Sequence, residues 1–203
     1  MDPNRVFFVD KAKAALGPVY HIFDTDKTTR LYSIETSRKS KPHVTVTRHR
    51  HPYQEPYQQH PQDVVVGSAT FHSLSSKIDV SLKAEPRPVD ITMKRSDPLA
   101  CGRKFESPLG KLQWKEDGSM LTSNIKLVDQ HKRVIARFEK QSSFLSRRKD
   151  KFILLVQEPC ALDNFDMIVV TGFASIEYAR RSDKEWDKAG EELLKAAGEA
   201  AGV

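Results

Sequence analysis

A helix formed by residues 163–181 would have no polar face. Between Met167 and Ile176 only three small residues interrupt the apolar run; acidic and amide side chains precede it and two arginines follow it. Carboxylates early and cations late suit the helix dipole. The β-branched residues of the run also permit a strand, but its length and its flanks favour a helix. Such a helix must be enclosed by the rest of the domain.

Most of the chain before this segment consists of short strand-like runs that alternate with turn residues. Residues 109–115 meet the turn-forming sequence Glu-Asp-Gly-Ser at 116–119, which predicts a hairpin. Many short strands with this spacing predict an antiparallel sandwich or barrel. The runs assigned as strands are residues 19–23, 30–35, 43–47, 64–71, 78–82, 89–93, 109–115, 125–128, 134–138 and 151–156.

Residues 48–62 are rich in Pro, Gln and His and show no apolar period. Pro52, Pro56 and Pro61 lack backbone donors, so this stretch cannot join a central strand. We therefore expect a flexible polar loop at 48–62 within a single domain that spans residues 1–181.

The final segment, residues 182–203, opens with the capping-box pattern Ser182-Asp-Lys-Glu185. Trp186, Ala189 and Leu193 then recur at helical spacing. We expect a separate amphipathic helix that follows the domain.

The basic charge of the chain lies before that final segment. The whole chain has a formal net charge of +6, and residues 182–203 hold three Lys against six acids, so residues 1–181 carry +9. Residues 132–151 hold eight Lys or Arg against two acids. Long cations in a loop can reach phosphates; the alternative is a solvated turn that protects a strand edge. The candidate anion-binding residues are Arg133, Arg137, Lys140, Arg147, Arg148 and Lys149.

Composition excludes several classes of protein. Two cysteines, Cys101 and Cys160, cannot form a disulfide scaffold, and no Cys or His spacing indicates structural zinc. The first residues lack the pattern of a signal peptide, and no apolar run is long enough for a transmembrane segment. No aromatic stacking platform is interleaved with Arg147, Arg148 and Lys149, which makes nucleic acid a less attractive partner. We expect a cytoplasmic protein, peripheral at membranes if it binds lipid.

The motifs of common enzymes and metal sites are absent from the sequence. There is no P-loop, nucleophile elbow, zinc-protease motif or calcium loop. His49-x-His51, with His60 nearby, permits a transition-metal site, although polar loops often contain His.

Two further groups of residues permit catalysis. Cys160 is a possible nucleophile with His131 or His72, but its apolar neighbours favour a buried, inert thiol. Asp163 and Asp166 could act as paired carboxylates, although helix capping explains one and a solvated first turn the other. We therefore expect no enzymatic activity, no cofactor and no metal.

A family resemblance covers the part of the chain from Gly102 to Arg181. The residues that carry it are Leu112-Gln-Trp114, Ile125-Lys-Leu-Val-Asp129, Val134-Ile-Ala-Arg-Phe138, Phe152-Ile-Leu-Leu155 and Asn164-Phe-Asp-Met-Ile-Val-Val-Thr-Gly-Phe-Ala174. This part resembles the tubby C-terminal-like superfamily, which groups tubby proteins, LURP-one-related plant proteins and phospholipid scramblases. It is most similar to small fungal members of unknown function.

The resemblance implies a closed antiparallel β-barrel of about twelve strands around a buried apolar helix at about 163–181. Members of the superfamily are associated with phosphoinositide binding, transcription-linked roles or lipid scrambling. Scrambling is not implied for this chain, because the apolar run is about half of a membrane span and the calcium loop and cysteine cluster are absent.

We expect a non-enzymatic domain that binds an anionic ligand, such as phosphoinositide headgroups, through a basic face. An acidic protein surface is the other possible anionic partner. The alternative function is a protein-interaction or scaffold module that uses the 38–62 loop and the C-terminal helix as docking elements. A small-molecule-binding barrel or an enzyme is the third class.

Overall fold

A computed structural model describes residues 5–14, 17–49, 63–72, 75–83, 88–96, 102–117, 124–141, 151–156 and 163–200, with the side chains of 140–141, 151–156 and 183–200 left out. Within these ranges the chain forms twelve strands followed by one helix. They are β1 (Arg5–Ala14), β2 (Gly17–Phe23), β3 (Arg30–Thr36), β4 (Val44–Arg48), β5 (Val64–Phe71), β6 (Ile78–Leu82), β7 (Val89–Arg95), β8 (Arg103–Ser107), β9 (Gly110–Glu116), β10 (Ile125–Asp129), β11 (Val134–Gln141), β12 (Lys151–Val156) and α1 (Phe165–Ala200).

The strands form an antiparallel sheet in which each strand pairs with the next along the chain. Backbone pairing also places β12 beside β1, with Phe7 opposite Leu154. A mainly β fold with an antiparallel sheet and a late helix is therefore confirmed. No helix in the described part of the chain is both long enough and apolar enough to cross a membrane.

Alternation along the strands separates an inner from an outer face of the sheet. In β6, for example, Ile78, Val80 and Leu82 are buried while Asp79 and Ser81 are exposed, as the two-residue period of a strand requires. The apolar side chains of the inner face join one hydrophobic core with the first half of α1.

The first half of α1 packs tightly in this core. Val170 is fully buried and Phe173 nearly so, and the indole N–H of Trp114 donates to Thr171 Oγ1 at 3.0 Å. A Cβ atom added at Gly172 would lie 2.4 Å from the ring of Phe138. Only glycine therefore fits this point of contact between helix and sheet.

The prediction of two separate helices is wrong, because α1 runs without interruption from Phe165 to Ala200. Ser182 lies inside it rather than at a new N-terminus. A residue such as Ser in the interior of a helix lowers the stability of the helix by only a fraction of a kcal/mol. No Pro or Gly lies near the predicted break. The Glu177–Arg181 ion pair at i,i+4 supports the helix up to that point.

Two strands escaped the sequence analysis. In β1, apolar residues from Val6 to Val9 follow one another without alternation, although only Phe7 and Val9 are fully buried. In β8, the inward position Arg103 is charged yet only 2 % exposed, so the strand does not show an apolar period. Arg48, assigned to the polar loop, is the last residue of β4; residues 50–62 lie outside the described ranges.

Candidate functional site

A cavity of about 530 Å³ lies beside the middle of α1, at one rim of the sheet. His43 precedes β4, Phe71 ends β5, Ser76 precedes β6 and Arg95 ends β7. Because neighbouring strands are antiparallel, these positions meet at the same rim. The lining residues are Lys41, His43, Phe71, His72, Ser75, Ser76, Arg95, Tyr178, Arg181 and Ser182.

The lining of the cavity is cationic. Lys41, Arg95 and Arg181 come from three different elements of the rim, and none of the ten described lining residues is Asp or Glu. Three fixed positive charges around one concave surface raise the local potential and favour an anion.

Glu177 pairs with Arg180 and with the cavity residue Arg181. This glutamate is 1 % exposed and accepts two hydrogen bonds from Arg180, at 2.7 and 2.6 Å, and one from Arg181 at 3.0 Å. Its hydrogen bond to Arg180 raises the pKa of that guanidinium. One carboxylate facing two guanidinium groups leaves a net positive charge at this position.

Other contacts fix the cationic wall of the cavity, by which we mean Lys41, Arg95 and Arg181, at Arg181. Arg181 also donates to the carbonyl of Ser37, and its guanidinium lies 4.7 Å from the ring centroid of Phe71. Arg103 lies behind the lining, 4.0 Å from the ring centroid of Tyr178, and donates to the carbonyl of Ser76. Because these contacts already restrict the side chain of Arg181, it loses little conformational entropy when a ligand binds.

The two lining histidines have defined hydrogen-bond partners. Nδ1 of His43 accepts the backbone N–H of Phe71 at 3.0 Å, so the neutral ring carries its proton on Nε2. Burial lowers the pKa of His43, and the charges of Arg181 and Lys41 lower it further. Nε2 of His72 lies 2.6 Å from Asp79, and this hydrogen bond lowers the pKa of the Asp79 carboxyl.

The lowered pKa of His43 predicts a loss of stability in mild acid. The unfolded chain binds a proton at its ordinary pKa of 6.5, whereas the folded protein binds it only at lower pH. Stability therefore falls as the pH drops below about 6.5. We expect His43→Asn, whose Oδ1 can accept the N–H of Phe71, to show a smaller difference in free energy of unfolding between about pH 8 and about pH 5.5. Urea denaturation at both pH values measures this difference, and an unchanged difference would contradict the prediction.

Of the basic residues singled out in the sequence, Arg133 and Arg137 are described, and neither is among the described residues that line this cavity. Arg133 pairs with Asp129 at 2.8 Å in the turn between β10 and β11, and Arg137 lies 3.5 Å from Asp117. The side chain of Lys140 and residues 147–149 lie outside what the structure describes, so Arg147, Arg148 and Lys149 stay a prediction.

The other candidates from the sequence are placed as follows. His49 contacts Ser33 and Asp63, while His51, His60 and Cys160 lie outside the described residues. Within the described ranges, no three His, Cys, Asp or Glu side chains are grouped as metal ligands.

Asp166 is not a merely solvated first-turn carboxylate. It accepts hydrogen bonds from the hydroxyl of Tyr32 at 2.6 Å and from Arg48 at 2.8 Å. Burial, followed by the charge of Asp166, raises the pKa of Tyr32. These contacts attach the start of α1 to β3 and β4.

Sequence reasoning missed the cavity because its cations are dispersed. Lys41, Arg95 and Arg181 are separated by dozens of residues, and each has a neighbouring cation that makes it look like part of a solvated run. The only available signal was that Lys41 and Arg95 flank predicted strands whose ends share one rim.

Comparison with known proteins gives a family without an assigned activity. The model of a family of unknown function (DUF6593) matches residues 18–182, from the start of β2 to the cavity residue Ser182. No curated protein matches the chain. The resemblance to the tubby C-terminal-like superfamily stays a prediction.

Proposed function

We propose that this chain, which belongs to the DUF6593 family, binds a phosphate-bearing anion in the cavity beside α1. The observation that carries the proposal is the convergence of Lys41, Arg95 and Arg181 on a concave surface whose described lining contains no acid. Charge-assisted hydrogen bonds to phosphate oxygens are stronger than neutral ones.

The size and the remaining lining of the cavity support this ligand class. A volume of about 530 Å³ lies within the range of small-molecule sites. Ser75, Ser76 and Ser182 add hydroxyl donors, and His43 can donate from Nε2 without protonation of its ring. Several neutral donors between fixed cations suit a group with many acceptor oxygens.

A phosphoinositide headgroup is the form of the ligand that we propose. The body of the chain carries +9 before the acidic final segment, and such a charge attracts a protein to anionic membrane surfaces. The resemblance to the tubby C-terminal-like superfamily points to the same ligand. We take the sheet to be a closed barrel, which the pairing of β12 with both β11 and β1 supports; closure would give the rim a fixed shape.

The phosphate could belong to a lipid headgroup or to a free, soluble compound. Binding of soluble inositol phosphates and co-sedimentation with vesicles distinguish these two sources. We expect titration calorimetry to show saturable binding of inositol trisphosphate, and vesicles with phosphatidylinositol bisphosphate to bind better than phosphatidylserine vesicles of equal charge. Binding should weaken as salt is raised. Binding of the soluble ligand alone would assign a free phosphate compound; binding of neither ligand would overturn the proposal.

Charge reversal at Lys41 tests the location of the site. We expect Lys41→Glu to weaken binding about tenfold or more, because a charge-assisted contact contributes about 1.5–3 kcal/mol. Lys111→Glu makes the same change in net charge in an exposed residue at the start of β9, near the opposite rim. If both variants bind equally well, the ligand does not occupy this cavity.

A further inference from the structure

A chain of hydrogen bonds crosses the outer face of the sheet near the rim opposite the cavity. Ser33 lies in the middle of β3 and points outward, between the buried residues Tyr32 and Ile34. Its Oγ lies 2.7 Å from Nε2 of His49, just after β4. Nδ1 of the same ring lies 2.9 Å from a carboxylate oxygen of Asp63, just before β5.

The strand register explains why these residues meet. Ser33 is paired with Thr47, and His49 follows Thr47 by two residues, so both side chains stand on one face. The backbone N–H of His49 donates to the carbonyl of Leu31 at 2.8 Å, which fixes the ring beyond the end of the strand. Asp63 directly precedes β5, the strand that pairs with β4 on its other side.

The two nitrogens of His49 have different partners, and this determines the position of its proton. The carboxylate of Asp63 can only accept, so in the neutral ring Nδ1 carries the proton and Nε2 accepts the hydroxyl proton of Ser33. On the other side, Nδ1 of His21 lies 3.0 Å from the same Oγ and donates to it. Burial, followed by the charge of Arg30, lowers the pKa of His21, which favours the neutral form of this second ring.

We propose that Ser33, His49 and Asp63 form a nucleophilic serine site that cleaves carboxylic esters. A nucleophile bonded to a base, whose other nitrogen is oriented by a carboxylate, is the arrangement that activates serine. Ser33 and His49 are the catalytic residues, and Asp63 is a positioning residue. Ser33 is half-buried on the outer face of the sheet, and the side chains of His49 and Asp63 are 20 % and 56 % exposed.

The reaction needs only the ester and water. Oγ of Ser33 bonds to the carbonyl carbon while Nε2 of His49 takes its proton, and that proton passes to the departing alcohol as the carbon–oxygen bond breaks. Water then attacks the acyl-serine, gives its proton to His49, and releases the carboxylic acid with Ser33 restored. The N–H of His21, already directed at Oγ, can donate to the carbonyl oxygen while it carries negative charge.

This inference is independent of anion binding, because the two sites lie at opposite rims. His49 follows the last residue of β4, whereas His43 precedes its first. Failure of either proposal leaves the other untouched.

A fluorophosphonate probe tests the site in the folded full-length protein. We expect a single adduct by intact mass, mapped to Ser33 by peptide mass spectrometry and absent from Ser33→Ala. His49→Gln should slow labelling about a hundredfold or more, and Asp63→Asn should slow it while Asp63→Glu retains more of the rate. Ser81→Ala, an exposed mid-strand serine on β6, should label like the wild type.

Thermal melting of each variant separates reactivity from folding. A slower rate in Asp63→Asn with an unchanged melting temperature would show that the carboxylate orients the base. No adduct at Ser33 in the folded wild type, or equal labelling rates in wild type and His49→Gln, would overturn the proposal. Release of alcohol and acid from p-nitrophenyl acetate, lost in Ser33→Ala, is the expected second readout.

Discussion

We expect the Phe173→Asp variant to be unfolded. Phe173 is 2 % exposed, and its ring lies 5.1 Å from that of Tyr20 and 5.3 Å from that of Phe138. An unpaired carboxylate at this position costs several kcal/mol, in addition to about 3–5 kcal/mol for the lost aromatic ring. Together these losses approach or exceed the 5–15 kcal/mol by which domains are stable.

Circular dichroism and a thermal melt measure the effect, with Phe173→Leu as the matched control. Leucine keeps the position apolar and should leave a cooperative melt at a lower temperature, since aliphatic replacements in a core cost far less than a buried charge. A soluble Phe173→Asp protein that melts cooperatively would contradict the placement of α1 in the core.

Removal of Glu177 has the second largest expected effect. Its carboxylate is the described partner of both Arg180 and Arg181, so Glu177→Ala leaves two largely buried guanidinium groups without it. Breaking a buried pair by removing one partner costs about 3–5 kcal/mol. Urea denaturation should therefore show a markedly lower midpoint.

The matched control is Glu106→Ala. Glu106 is 81 % exposed at the side chain and lies 3.9 Å from Lys111, and exposed pairs of this kind contribute about 0–1 kcal/mol. If the two variants lose similar stability, Glu177 does not hold the cationic wall as described.

Apolar periodicity predicted the elements in which apolar residues recur at the spacing of a strand or fill every face of a helix. In β6, Ile78, Val80 and Leu82 alternate with polar residues, and in α1 the run around Val170 has no polar face. β6 and the buried first half of α1 were predicted correctly, because burial against one core leaves a local pattern in the chain; the continuation of α1 to Ala200 was not.

Where a charged residue is buried against a distant partner, the pattern fails. Arg103 occupies an inward position because the ring of Tyr178 and the carbonyl of Ser76 receive its guanidinium, and neither contact is visible from neighbours in the chain. The candidate sites could not be predicted from the sequence for the same reason. Ser33 and His49 meet only through the register of β3 with β4, which depends on the whole sheet.

The cationic cavity is also a product of topology. Its cations come from separate elements whose ends share a rim, whereas the run at 132–151 is dense in sequence. In that run, Arg133 and Arg137 face carboxylates. At Arg133 and Arg137, local charge density therefore pointed to cations that face carboxylates. The cavity residue Arg181 is also paired, but it shares its partner Glu177 with Arg180.

Amide NMR spectra of the folded protein, recorded during titration with inositol trisphosphate, test the central claim most directly. The account predicts the largest shift changes at residues around the cavity, namely Lys41, His43, Phe71, His72, Tyr178 and Arg181. Changes confined to the turn that carries Arg133 and to the strand that carries Arg137, with the cavity residues unmoved, would contradict it.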